Sequence, residues 1–183
     1  MATIVGMAGS LRHGSFNASL LRAAAAVAPA EITVEIASIR EIPLYDGDVE
    51  AQGIPEAVRA LKDRIAAAQG VLLVTPEYNN SIPGVFKNVI DWLSRPATDI
   101  PRVFRDRPVA LMGATPGPWG TLSSQTAWLP VLRVLGMRPW FGGRMLVSNA
   151  GKVFDEAGQL VDEKVRGQLE KFMAGFAKFV TVA

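Results

Sequence analysis

The segment Gly9-Ser10-Leu11-Arg12-His13-Gly14-Ser15-Phe16-Asn17 sets small residues, hydroxyls and one arginine where an apolar run gives way to a helix-forming stretch. Ser10 and Ser15 can donate hydroxyls, Arg12 carries a permanent guanidinium fork, and the backbone N–H groups of a helix start favour an anion. A phosphate monoester matches that set. The spacing is neither Gly-x-Gly-x-x-Gly nor Gly-x-x-x-x-Gly-Lys, so dinucleotide-fold and P-loop readings lose their support. Taken alone, the loop also fits a Ser/Asn-capped helix with a solvated arginine. His13, the sole histidine, has no carboxylate or thiol beside it, so it builds neither a metal site nor a triad; it reads as an exposed loop residue or a pH-sensitive phosphate contact.

A second loop, Thr75-Pro76-Glu77-Tyr78-Asn79-Asn80-Ser81-Ile82-Pro83-Gly84, follows another apolar run. Pro76 and Pro83 stiffen it, Tyr78 offers an aromatic body, and Glu77, Asn79, Asn80 and Ser81 add polar groups around exposed amides. Such a turn suits the edge of a flat heteroaromatic ring, and it also fits a polar turn with a structural proline. A third candidate, Ala114 to Thr121, has small residues that let backbone approach closely at Thr115 and Gly117, while Trp119 is either a ring wall or a packing or interface residue. A phosphate joined to a flat ring describes flavin mononucleotide (FMN), and the first two loops together point to it.

The elements that hold these loops alternate between strand and helix. Thr3 to Ala8 and Val71 to Val74 read as strands buried on both faces, the second the most central, and Ile32, Val34 and Ile36 alternate as an edge strand. Asn17 to Val27 is the first helix. Ser38 to Gly53 is loop-rich, and Pro55 opens a helix on Val58, Leu61, Ile65 and Ala68. Gly84 to Ser94 carries more apolar residues than one core-facing stripe needs, which implies a second buried face. Pro108 to Gly113 is a fourth strand, Thr121 to Leu135 a helix interrupted at Pro130, Met145 to Val147 part of a fifth strand, and Asp162 to Val180 a closing helix. This pattern predicts a single α/β domain over residues 1–183, an open five-stranded parallel sheet covered on both sides by helices, which in the order 2-1-3-4-5 has one topological switch point. Its ligand crevice lies between strands 1 and 3.

Composition narrows the function. Nineteen Lys plus Arg against 17 Asp plus Glu, without a basic block, leaves no footprint for nucleic acid. With no cysteine there is no thiol nucleophile or thiolate metal site, so redox work needs a bound cofactor. No run reaches membrane-spanning length and no basic segment precedes the first apolar stretch, which predicts a cytoplasmic, soluble protein with no membrane partner.

Gly9-Ser10-Leu11-Arg12 through Ser15-Phe16-Asn17, with Pro76-Glu77-Tyr78-Asn79 running through Ser81, Pro83-Gly84, Lys87-Asn88, Ile90-Asp91 and Trp92-Leu93-Ser94-Arg95, resembles the NAD(P)H-dependent FMN reductase family of flavodoxin-like proteins, the branch with bacterial quinone, chromate and azo-dye reductases. The resemblance implies a flavodoxin-like three-layer sandwich with a five-stranded parallel sheet in the order 2-1-3-4-5, and that Ser10, Arg12, Ser15, Phe16 (through its backbone amide) and Asn17 hold the FMN phosphate. It also implies that Pro76, Glu77, Tyr78 and Asn79 border the isoalloxazine, with Ser81 nearby. Relatives are homodimers or homotetramers with the helix after the second loop at the interface, and the doubly apolar Gly84 to Ser94 stretch asks for such a partner. The third loop departs from the family: Gly120-Thr121 and Leu122-Ser123-Ser124 stand where many relatives have Gly-Gly and arginine. The implied activity is ping-pong transfer of hydride from NADH or NADPH through FMN to a small-molecule acceptor such as a quinone, free flavin, an azo dye or chromate. Two rival readings are a flavodoxin-type electron carrier, against which the +2 charge argues, and a non-catalytic binding module of the same fold.

Overall fold

The computed structural model describes residues 1–182. In chain order its elements are β1 (Ala2–Ala8), α1 (Phe16–Ala26), β2 (Ile32–Ala37), α2 (Gly47–Gln52), α3 (Glu56–Ala67), β3 (Gly70–Val74), α4 (Gly84–Leu93), a 3-10 turn (Ala97–Asp99), α5 (Ile100–Val103), β4 (Pro108–Ala114), α6 (Leu122–Val134), β5 (Arg138–Pro139), β6 (Leu146–Val147), α7 (Ala150–Val153) and α8 (Glu163–Thr181). The strands pair in the order β2-β1-β3-β4-β5, all parallel, with β6 also on β4. The sheet is therefore the expected doubly wound one.

Alternation along the strands divides the core. Ile4, Leu72, Val74, Ala110 and Met112 face one cluster with Leu20, Leu21 and Ala24 of α1 and Leu169, Phe172 and Phe176 of α8. Val5, Met7, Val71, Leu73 and Val109 face the other, with Leu61 and Ile65 of α3, Phe86 and Val89 of α4, and Trp128 and Leu132 of α6. Period-two side chains thus carry two apolar layers, and helices on both faces bury them.

Four expectations are corrected. The Ser38 to Gly53 stretch contains α2, capped by Asp46, whose carboxylate accepts from the Asp48 N–H. Helix α6 is not interrupted at Pro130; the helix runs on to Val134 with that residue on its exposed face.

The fifth strand position is split. Arg138 and Trp140 donate to the carbonyls of Arg107 and Val109, and then Gly113 and Thr115 of the neighbouring edge donate to Met145 and Val147. The chain between them bulges away at Leu111 and borders a cavity of about 200 Å3 there, lined in part by Trp140, Phe141 and Arg144.

The fourth correction concerns α4. Phe86, Val89, Ile90, Trp92 and Leu93 are all buried within one chain. The Pro43–Tyr45 segment supplies the second face: the Trp92 indole N–H donates to the Pro43 carbonyl at 2.9 Å, Tyr45 packs edge-on at 5.0 Å, and Asn88 bonds both the Pro43 carbonyl and the Tyr45 N–H. The five buried residues that suggested a partner are thus covered within one chain.

Candidate functional site

A cleft of about 250 Å3 opens beyond the carboxyl ends of β1, β3 and β4. Ser10, Arg12, Ser15, Phe16 and Asn17 line one wall, Pro76, Glu77 and Tyr78 a second, and Ala114, Thr115 and Pro116 a third. The crossover order puts all three loops there, because the chain reverses its winding direction between β1 and β3.

The first wall is an anion cradle. Ser15 caps α1: its Oγ accepts from the Ala18 N–H at 3.2 Å, while the N–H groups of Phe16 and Asn17 have no partner among the described residues. Those two donors and the helix dipole favour negative charge. The Arg12 guanidinium donates to the Gly14 carbonyl at 2.7 Å and lies 5.5 Å from the centre of the Phe16 ring, so it is held at the rim. Ser10 Oγ accepts from the Arg12 N–H. Gly9 permits this turn to approach α4, since a Cβ there would stand 2.2 Å from the Phe86 ring. His13 is exposed.

The second wall is stiff. Tyr78 and Ser81 exchange backbone hydrogen bonds around Asn79 and Asn80, whose φ values of 50° and 57° make a tight hairpin turn. Asparagine tolerates that left-handed backbone better than most residues. Asn79 and Ser81 thus shape the turn and stand outside the cleft lining, as does Gly117 on the third loop. Glu77 lines the cleft, and its Oε2 accepts from the Ser124 N–H at 3.0 Å, in the first turn of α6. Behind it, the buried Thr75 Oγ1 lies 2.8 Å from Ser124 Oγ and accepts from the Trp128 indole at 3.1 Å.

On the third wall, Asn17 joins loops far apart in sequence: its Nδ2 donates to the Ala114 carbonyl at 2.8 Å and its Oδ1 accepts from the Ala114 N–H at 2.9 Å. Trp119 is 80% exposed and stands outside the lining, so it is not a packing residue of this chain's core. Sequence reasoning missed Thr75, Ser124 and Trp128, which no local pattern distinguishes from ordinary helix-start and core residues. Among the described residues no cluster could hold a metal ion, and no helix is long and apolar enough to cross a membrane.

Strand order and cleft together define a flavodoxin-like protein whose strand ends present an anion cradle beside a rigid polar slot. A family model described as NADPH-dependent FMN reductase matches residues 2–152. An NAD(P)H-dependent FMN reductase of Pseudomonas aeruginosa is 39% identical over 168 residues, covering 92% of this chain and 89% of that protein. A 2-hydroxy-1,4-benzoquinone reductase of a Burkholderia species is 38% identical (94% and 92% covered), and a quinone reductase of Escherichia coli K12 37% identical (97% and 94%). Among solved structures, the flavoenzyme NAD(P)H:acceptor oxidoreductase FerB of Paracoccus denitrificans superposes with a TM-score of 0.89 at 31% identity, covering 99% of this chain and 98% of that one. The chain belongs to the NADPH-dependent FMN reductase family.

Proposed function

We propose that this protein binds FMN in the strand-end cleft and uses NAD(P)H to reduce a small-molecule acceptor of the quinone class. The observation that carries this reading is the convergence in one cleft of two unpaired α1 N–H groups, Arg12 and the stiff Pro76–Tyr78 edge. The chemistry of these donors fits the phosphate of FMN. When bound, FMN supplies a two-electron relay between nicotinamide and acceptor.

The chain's own residues do the rest. Ser10, Arg12, Ser15 and the amides of Phe16 and Asn17 hold the phosphate. Pro76, Glu77 and Tyr78 fix the ring edge, Asn79 and Ser81 set their turn, and the backbone at Thr115 and Gly117 closes the third side. Tyr78, half exposed at the mouth, leaves room for nicotinamide and acceptor to alternate on one face. No side-chain nucleophile is required. The acceptor class is supported by the relatives named quinone reductases; free flavin, azo dyes and chromate are further acceptors to test. Assembly as a homodimer or homotetramer remains part of the proposal, with its support in the family resemblance and no longer in α4. Action in the cytoplasm is proposed as well, where NAD(P)H is supplied.

Purified protein given FMN is expected to stay yellow through gel filtration, to bleach anaerobically with NADPH or NADH, and to recolour on adding a quinone. Protein that remains colourless, or never bleaches, overturns the reading.

A further inference from the structure

Two side chains of the cofactor cleft have polar partners inside the protein, and both partners flank the third loop. Asn17 is 4% exposed and pairs at two points with Ala114, where that loop begins. β3 ends at Val74, and the Thr75 N–H makes the last bond to β4, at Met112. One residue pair further, the Asn17 amide takes the place of the missing strand, presenting a donor and an acceptor as a peptide unit would. Glu77 binds the Ser124 N–H just after that loop ends, and the Thr75 hydroxyl reinforces the same turn. Residues 115–121 are thereby tied to the phosphate loop at one end and to the ring loop at the other.

We infer that Asn17 and Glu77 are positioning residues: their side chains hold the third loop in its cofactor-binding conformation, and the Asn17 side chain, occupied by Ala114, leaves only its backbone N–H for the phosphate. This rests on the proposed FMN site and deepens it. Removing Asn17 leaves a buried N–H and carbonyl of Ala114 unpaired, which favours loop conformations that let water reach them. Binding is then weakened by the fraction of molecules whose loop is out of place, whichever flavin is offered.

The test compares FMN with riboflavin, which has the same ring and no phosphate, by fluorescence titration of the full chain. Arg12→Ala is the reference, expected to weaken FMN and leave riboflavin unchanged. Asn17→Ala is expected to weaken both by the same factor, on the order of tenfold or more. Hydrogen exchange is expected to accelerate in residues 114–121 of that variant while β1 and β3 keep their protection, a local signature that general destabilisation does not produce. For Glu77, Glu77→Gln retains an acceptor for the Ser124 N–H and is expected to keep the parent's hydrogen exchange in residues 114–121, whereas Glu77→Ala accelerates it. This pair keeps the inference open to refutation if Asn17→Ala does not fold. Asn17→Ala losing FMN alone, unchanged exchange in 114–121, or exchange as fast in Glu77→Gln as in Glu77→Ala overturns the inference. Failure of the parent protein to bind either flavin overturns instead the proposed function.

Discussion

Two regions of this molecule gather cations and backbone polar groups, and they treat them in opposite ways. On α3, Lys62 is 2% exposed and paired within the chain: its ammonium donates to the Arg95 carbonyl and to Asp99 at 2.8 Å. Nearby, Arg107 donates to the carbonyls of Ala66, Ala68, Arg102 and Val103, and burial lowers its pKa. At the cleft, Arg12 is exposed with one carbonyl partner, and the amides of Phe16 and Asn17 have none. A closed set of partners joins segments of the chain, whereas donors left open on a rigid frame await a ligand.

The largest expected effect breaks the closed region. Asp99→Ala leaves the Lys62 charge buried with only a carbonyl, and a loss of about 3 kcal/mol in unfolding free energy is expected from urea titration. Flavin affinity stays near that of the parent. Arg12→Ala does the converse: FMN affinity falls on the order of tenfold to a hundredfold in a fluorescence titration, with the melting temperature unchanged.

Ser15 belongs to both worlds, since its hydroxyl caps α1 at the cleft wall. Ser15→Ala is expected to cost about 1 kcal/mol of stability and to weaken FMN binding as well, so that chemical denaturation and titration move together. An outcome in which only one of them moves separates cap from ligand.

Acid sharpens the comparison further. The hydrogen bond from Lys62 holds the Asp99 carboxyl below its ordinary range, with Arg102 adding to the effect. A depressed carboxyl stabilises the fold above its unfolded-state pKa and ceases to do so as pH falls through the folded-state value. The parent's stability is therefore expected to drop more steeply on acidification than that of Asp99→Ala, measured as urea midpoints across that range. The smallest effect is at Trp119: replacement by alanine is expected to change stability by less than about 0.5 kcal/mol in thermal melts, because its side chain has little of the chain around it.

Much of this architecture was legible in the residues. β1 and β3 announced themselves as uninterrupted apolar runs, and α8 by its Leu169-Phe172-Phe176 spacing, because these periods are local. That Ser10, Arg12, Ser15, Phe16 and Asn17 stand together on one wall of the cleft was readable for the same reason, since they form one contiguous segment at a helix start. What escaped was set by distance in sequence. The cover of α4 comes from Pro43 and Tyr45, about 45 residues upstream of Asn88. The Asn17–Ala114 clasp spans 97 positions and has no periodic signature. The split fifth strand was missed because two-residue pairings carry too few side chains to show alternation, and the passage of α6 through Pro130 because exposure of that residue is set by the fold and not by its neighbours in sequence.

That split edge has a consequence for life in a crowded solution. An uninterrupted outer strand is a template on which a foreign peptide can zip, and growing chains of misassembled protein begin at such borders. Here the border offers β5 and β6, each only two residues long, separated by the protruding Phe141–Arg144 segment. An intruding strand finds its register broken before it can gain a foothold, and the fold guards its flank by being discontinuous.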